Sequence, residues 1–595
     1  MKPIIFVDFE TSYTARTPKG EKPHGLRSQT VPEYLHDERT ECLGAAVGIG
    51  EQRQYLQGDA LGVFLHKAVD KIAEGSAVLS CHNAAFDLSA WQRFYWNSYR
   101  RLRSQLWRDK LGLLDTLHLC RWASAQGLHP HDVGVSIAEI GRMVGMDKGD
   151  TAEAVDAGGE ALANYALRDI EIAGEVATRY WQHWPEREQK LSTLHVLMST
   201  PGAESLRVDA EVLVPVAYES EEEAERKSWL RKDENFAALL EKLGVEPEYK
   251  DTKTGRQKLA LAKDDAFMRR LLAHSDPRVQ KAAELRSEAG SNIARTRAQR
   301  MLASSGDGKR ALPMSVDYYR AHTGRSGGSG GLNPQNMPRG GPHRQALIAP
   351  PGHKLVVCDA SQIEVRVLAW LAQDEQTLDV FRRGADPYKA FAVDLYNLRS
   401  EDDVTKGQRQ VAKSAVLGLG FGAGPGGFQT YCDAMNVPMD AETAEHVVST
   451  YRNARSAVTR YWRALKKIER VGYQELPTGR CMVYPEMNGE TFQRPQPFAP
   501  KGVDTRSKYW HGLFCENAVQ ATARDITLLH HAVDIAAKYP VVLVVHDEVV
   551  CSVPENEAEQ CLQYMQQVMD TAPDWCSDLP LASEGGIVSN YAEAK

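Results

Sequence analysis

Acidic side chains at predicted strand ends are the feature of this chain most able to do chemistry. His546-Asp547-Glu548 lies between two short Val-rich runs, Val541 to Val545 and Val549 to Val553. Such runs predict two buried strands with the acidic pair at their junction. Unpaired charge is costly there, and a bound divalent cation would account for it. Leu355-Val356-Val357-Cys358 predicts a third strand that ends in Asp359. Ser361 to Trp370 follows, with apolar residues at 363, 367, 368 and 370, the pattern of a helix packed on a sheet. Asp359 and Asp547 are therefore expected at one sheet edge. Two hard oxygen ligands on rigid strands suit a pair of magnesium ions, or manganese in their place, for in-line phosphoryl displacement.

Cations for such a reaction are at hand. Arg409 and Lys413 are four residues apart, so on a helix they share a face. The guanidinium can fork a pair of phosphate oxygens, and the ammonium can act as a point charge on another.

A second acidic set lies near the N-terminus. Ile4 to Thr11 predicts a strand, and Asp8 and Glu10 project from the same face of it. Two carboxylates placed so repel each other unless a cation lies between them. Val78-Leu79-Ser80-Cys81 predicts another strand, followed by His82-Asn83-Ala84-Ala85-Phe86-Asp87. Tyr165 and Asp169 stand four apart on a predicted helix. Asp115 is a further strand-end carboxylate, read as structural. Thr17 to Leu35 is polar, holds several Gly and Pro residues, and is expected to be a loop.

These motifs carry two resemblances. From about residue 195 to the C-terminus the chain resembles the family A DNA polymerases. Asp359 to Arg366 resembles motif A of that family, Arg409 to Gly422 motif B, and His546-Asp547-Glu548 motif C. Thr323-Gly324-Arg325 with Leu332 to Pro338 resembles its primer–template contact segment. The N-terminal strands and helix resemble the 3′–5′ proofreading exonucleases that use four acidic ligands and a tyrosine.

The first resemblance implies roles for particular residues. Asp359 and Asp547 would be metal ligands, and Glu548 and Lys413 would join them in catalysis. Arg409, Lys413, Leu417, Phe421, Glu364, Gln362, Tyr388 and His546 would meet the incoming nucleotide. Arg325, Asn333, Gln335, Asn336, Gln520 and Arg366 would meet DNA. The second resemblance implies that Asp8, Glu10, Asp87 and Asp169 hold two metals for phosphodiester hydrolysis and that Tyr165 orients the attacking water.

Together they imply an α/β multidomain fold. An RNase H-like exonuclease domain would span 1–192. A right-hand polymerase would follow, with a helical thumb at 193–312, an antiparallel palm sheet at 313–375 and 476–595, and helical fingers at 376–475. The implied activity is primer extension on a DNA template with proofreading, by a monomer that binds primer–template DNA and deoxynucleotides. Nothing at the N-terminus resembles a 5′-nuclease domain, which suggests a phage-type replicative enzyme, although a cellular paralogue without that domain would look the same.

Two other readings share some of these features. A single-subunit RNA polymerase would have the same aspartates and lysine. Glu364 argues against it, because in family A that glutamate crowds the ribose 2′-hydroxyl. The other is a DNA-processing nuclease whose second half only binds duplex.

The sequence departs from the family in the fingers helix. The family has an aromatic residue eight after the arginine and a tyrosine twelve after it. Here those positions hold Leu417 and Phe421. In the family, tyrosine at the first position goes with acceptance of dideoxynucleotides and phenylalanine with their exclusion. Gly418 reads as a hinge and Gly422 as a packing or helix-end residue.

Composition sets the frame. The 595 residues allow three or four compact units. Apolar content of 43% and charged content of 25% are those of an ordinary globular chain. No apolar run reaches the length of a membrane span, and the N-terminus does not read as a signal peptide. The ten cysteines form no CxxC pair, which fits reduced thiols in a cytoplasmic setting, with Cys358 and Cys551 as small apolar fillers.

The net charge of −8 is opposite to what a DNA partner prefers. Local charge decides this point. Residues 295–344 carry nine basic side chains against two acidic ones, enough to make phosphate binding salt-dependent. Residues 205–305 read as helical, and the glycines from Gly324 to Gly331 would permit close backbone approach.

Overall fold

The computed structural model describes residues 2–13, 24–218, 220–251, 257–262, 265–290, 292–329, 331–499 and 505–594. Its N-terminal third is built on a five-stranded sheet: β1 (Ile4–Thr11), β2 (Cys42–Ile49), β3 (Gln52–Leu56), β4 (Val78–Cys81) and β5 (Leu113–Asp115). The spatial order is β3-β2-β1-β4-β5. β1 pairs antiparallel with β2 and parallel with β4. Strand alternation sorts the faces. Ile5, Val7 and Phe9 enter one core with Leu61, Leu65 and Leu102, while Phe6 packs on the other face with Ile170 and Ala173. Asp8 and Glu10 share the parity of Phe6 and so face the helix Gly159–Tyr180, which carries Tyr165 and Asp169.

The register of β1 sets Glu10 opposite Gly44. A Cβ at residue 44 would lie 2.6 Å from the Tyr55 ring, and its φ is +145°, so glycine is needed there.

Thr17 to Leu35 departs from the loop expected. Part of it lies outside the described residues, but Val31–Leu35 is helical. Thr30 and Glu33 form a reciprocal cap at its start, with proline in the first turn.

A continuous helix, Glu186–Ser199, leads into the rest of the chain. The expected boundary at 192/193 falls in the middle of it. Residues 205–305 are mainly helical. The helices Ala210–Ala217 and Ile293–Ser305 pack together, and residues 230–289 form a small separate core around Phe236, Leu240 and Phe267. Strands Tyr249–Asp251 and Gln257–Leu259 pair within this region, a hairpin absent from the helical reading.

The C-terminal sheet contains β6 (His353–Ala360), β7 (Val541–Val545), β8 (Glu548–Pro554) and β9 (Ser583–Val588), in the order β7-β8-β6-β9 and antiparallel throughout. The strands foreseen at Leu355–Cys358 and on both sides of His546-Asp547 are all present. Cys358 and Cys551 are fully buried on them, as apolar fillers would be. The helix Ile363–Ala372 follows β6, and in sequence the helices Pro387–Tyr396, Lys406–Leu419, Pro425–Ala434 and Ala441–Ala454 come between β6 and β7. Among the described residues, no helix is long and apolar enough to cross a membrane.

Candidate active sites

Sheet pairing joins the two distant aspartates. Asp359 stands opposite Glu548 in the β6–β8 register, and the Ala360 amide donates to the Asp547 carbonyl at 3.2 Å. His546 takes the turn with φ +55°. Burial raises Asp547 to about 7. Arg325 pulls it back, while Glu364 and Asp359 push it further up. Burial also raises Asp359, against the pull of Arg339. Carboxylates held above their ordinary range by desolvation and by one another are a donor set that a divalent cation would relieve.

Arg325 stands within this site. Its Nη2 donates to Glu364 Oε1 at 2.7 Å and lies 3.6 Å from Asp547 Oδ1. Arg325 had been expected only at DNA. The cleft above these groups holds about 570 Å³ and also admits Arg339 and Arg344.

Glu548 is buried and accepts from the Tyr591 hydroxyl at 2.5 Å. Arg344 stacks on that tyrosine ring, 4.5 Å from its centre. Tyr591 escapes sequence reasoning because its partner is far back in the chain. The Arg339 and Arg344 charges were counted in the basic stretch without a place in the site.

Other expected contacts are engaged within the protein. Arg366 is 6% exposed, donates to the Ser361 and Pro580 carbonyls, and stacks 4.1 Å from the Phe381 ring. It holds the strand–helix turn and is buried among these internal partners. The Asn333 side chain accepts from the Gln335 amide, and Gln335 binds the Ser326 carbonyl and the Gly328 amide. The Asn336 carbonyl accepts from Arg297. Gln520 donates to Glu516 one helical turn away. Gln362 caps the helix Ile363–Ala372 with φ +50°.

Arg409 and Lys413 share a face of the helix Lys406–Leu419, as their spacing predicts. Their charged groups lie 5.2 and 5.9 Å from the ring centre of buried Tyr388. Arg409 Nε also donates to Asp386 at 2.6 Å. Leu417 and Phe421 are partly buried against the core. The helix ends at Leu419. A Cβ on Gly418 would come within 2.7 Å of Tyr431, so close packing by itself calls for glycine here. Gly422 has φ +82° just past the helix end.

The N-terminal acidic set also assembles. Oxygens of Asp8, Glu10 and Asp169 lie within 4.8 Å of one another, in a cleft of about 670 Å³. Asp169 Oδ1 is buried and has no hydrogen-bond partner among the described residues. Three converging carboxylates with one orphaned oxygen fit a divalent cation. Burial, with Asp169 second, raises Asp8 to about 8. Burial, with Asp8 second, raises Glu10 to about 9. Asp87 is buried beside them, and its Oδ1 accepts from the Phe9 amide at 3.0 Å, so it stands outside the group of three.

The Tyr165 hydroxyl bonds Thr151 at 2.6 Å. Lys148, absent from the sequence reading, lies 2.5 Å from Asp169 Oδ2 and 4.6 Å from the Tyr165 ring centre. Asp115 caps the helix Thr116–Ala125 and also receives the Ala84 amide, a structural role.

Strand ends of an antiparallel sheet thus bring two aspartates together in a cleft that Arg325, Arg339 and Arg344 also line. Residues 218–593 match the sequence profile of DNA polymerase family A, and the chain belongs to that family. The DNA polymerase of Bacillus phage SP02 is 31% identical over 282 residues, 42% of this chain and 42% of the relative. DNA polymerase I of Pseudomonas aeruginosa is 30% identical over 286 residues, 47% of this chain and 30% of the relative. The match thus spans less than half the length of either. In fold, the chain is similar to the POL domain of Pol1 from M. smegmatis, solved with DNA primer-template and dNTP. The TM-score is 0.68, at 18% identity, covering 100% of this chain and 96% of that one.

Proposed function

We propose that this chain is a DNA-dependent DNA polymerase that extends a primer 3′ end and removes misincorporated nucleotides through a 3′–5′ exonuclease site in its N-terminal half. The observation that carries the first activity is the pairing of β6 with β8, which sets Asp359 beside the Asp547 turn under Glu364 and Arg325. Family membership and the fold of the M. smegmatis structure support it. The Asp8–Glu10–Asp169 cluster carries the second.

In this reading residues 1–192 are the exonuclease domain and 193–312 the thumb. Residues 313–375 and 476–595 form the palm, and 376–475 the fingers. Asp359 and Asp547 would hold two magnesium ions at one site, and Asp8, Glu10 and Asp169 with nearby Asp87 would hold two at the other. Magnesium supplies neutralisation of the polyphosphate and activation of the attacking oxygen. The chain supplies the rest. Arg409 and Lys413 would meet the triphosphate, Arg409 being shared with Asp386. Glu364 would crowd a ribose 2′-hydroxyl, which favours deoxynucleotides over the substrates of an RNA polymerase. Tyr165 would orient water for hydrolysis. We place the protein in phage-type DNA replication, as a monomer in the host cytoplasm.

The two activities should separate. Asp359→Ala or Asp547→Ala should abolish extension of a labelled primer–template and spare its degradation. Asp8→Ala with Glu10→Ala should do the reverse. Degradation lost in the first pair, with the protein still folded, would contradict the two-site assignment. No extension by the parent chain with four deoxynucleotides and magnesium would sink the polymerase reading.

A further inference from the structure

The backbone that presents Arg325 is gripped from both sides by buried polar groups that take no part in the chemistry. Arg524 is wholly buried. Its Nε donates to the Gly324 carbonyl at 3.1 Å. Its two terminal nitrogens fork the Glu188 carboxylate, each at 2.7 Å, and Nη1 also reaches Asp525 at 3.1 Å. Arg480 pairs with Asp525 at 3.0 Å and donates to the Thr323 carbonyl at 3.1 Å. On the far side of Arg325, His195 bonds the Ser326 hydroxyl at 2.6 Å. Glu188 and His195 both come from the helix Glu186–Ser199.

Packing alone gives no reason for this arrangement. Apolar residues of similar volume commonly match or exceed the stability of a buried ion pair. A buried network in which each charge is answered does fix geometry. Here the geometry includes Gly324, whose φ is +89° and whose Cβ position lies 3.1 Å from Arg480 and from Tyr319. The helix bearing Arg524 widens into a π-helical segment starting at Asp525, a departure that often marks functional positions. The residue so anchored, Arg325, is the one that meets Glu364 and Asp547.

We propose that Arg524, braced by Glu188, and His195 are positioning residues for nucleotidyl transfer: they hold the chain on either side of Arg325 and so aim its guanidinium at Glu364 and Asp547. The inference rests on the reading of that site as the polymerase centre. Lysine at 524 would keep a charge for Glu188 but could not fork the carboxylate and reach the Gly324 carbonyl together. Alanine at 326 would release the His195 side without touching the buried charges.

The test uses the full chain and single-nucleotide insertion on a primer–template. Arg524→Lys and Ser326→Ala are made alone and on an Arg325→Ala background. Each alone should lower kcat on the order of tenfold, the scale of a slightly misplaced group, and leave KM for the nucleotide little changed. On the Arg325→Ala background neither should cost anything further, because the group being aimed is gone. Losses that multiply with that of Arg325→Ala would overturn the inference, as would parental kcat in both single variants. Should Arg524→Lys not fold, Glu188→Gln takes its place as the test of Arg524, and Ser326→Ala tests the His195 side. A parent that extends primers while the losses multiply overturns this inference alone. A parent that extends none overturns the polymerase reading and this inference with it.

Discussion

Lys148 lies 2.5 Å from one oxygen of Asp169, and the other oxygen of that carboxylate is buried without a partner among the described residues. The lysine thus supplies one positive charge where three carboxylates converge. Removing one partner of a buried pair leaves the other uncompensated. Lys148→Met should therefore destabilise the cation-free protein by about 3 kcal/mol. Saturating magnesium should recover most of this, because the carboxylates regain a counter-charge. Thermal denaturation with chelator and with magnesium decides it, and equal losses in both would contradict the idea.

The same cluster makes stability depend on pH. Asp8 and Glu10 are raised from ordinary values of 3.8 and 4.5 to about 8 and about 9. The folded chain then holds protons that the unfolded chain has released. Their contribution is most favourable below the ordinary values and is lost as pH rises toward the folded ones. In chelator, the melting temperature should fall between about pH 5 and about pH 9 more steeply in the parent than in Asp8→Asn with Glu10→Gln. Equal slopes would show that the cluster does not titrate in this range.

Tyr591 gives a prediction at the other site. Burial raises Glu548, and the Tyr591 hydrogen bond holds it down. Tyr591→Phe removes the donor from a buried acceptor, which costs about 1–3 kcal/mol. Glu548 should rise further, so the acidic limb of the extension pH profile should move to higher pH. An unmoved limb would separate Glu548 from the rate.

In the proposed reading Leu417 faces the sugar of the incoming nucleotide. Leucine offers no hydroxyl to replace the hydrogen bond that a dideoxynucleotide lacks. A polar group left unpaired in a closed site costs about 1–3 kcal/mol, roughly five- to a hundredfold in discrimination. Leu417→Tyr should raise dideoxynucleotide use relative to the matching deoxynucleotide, while exclusion of ribonucleotides stays with Glu364. Competitive insertion on an Asp8→Ala, Glu10→Ala background measures both. An unchanged ratio would place residue 417 away from the sugar.

What could be read ahead from the residues follows from range. The strands bearing Asp8 and Asp359, and the two that flank the Asp547 turn, are legible because alternation and Val-rich runs are local signals. So is the shared face of Arg409 and Lys413. For Arg366, proximity to Asp359 in sequence says nothing of burial, and only the fold reveals that it is turned inward against Phe381. Lys148 sits between two short helices, and nothing in its own neighbourhood points to Asp169. Tyr591 and Glu548 meet only once β9 and the C-terminal turn close over the sheet. Arg325 carries a motif that was recognised, yet its contact with Asp547 depends on a turn far along the chain.

The helix Glu186–Ser199 also limits how this protein can be divided. A fragment cut after Ser199 would keep every residue of the C-terminal sheet and its cations. It would lose Glu188, leaving the Arg524 guanidinium with Asp525, already shared with Arg480, as its remaining carboxylate, and it would lose the His195 grip on Ser326. A stable polymerase-only fragment therefore has to begin before Glu186. The two halves then behave less as exchangeable modules than as one scaffold with a shared beam.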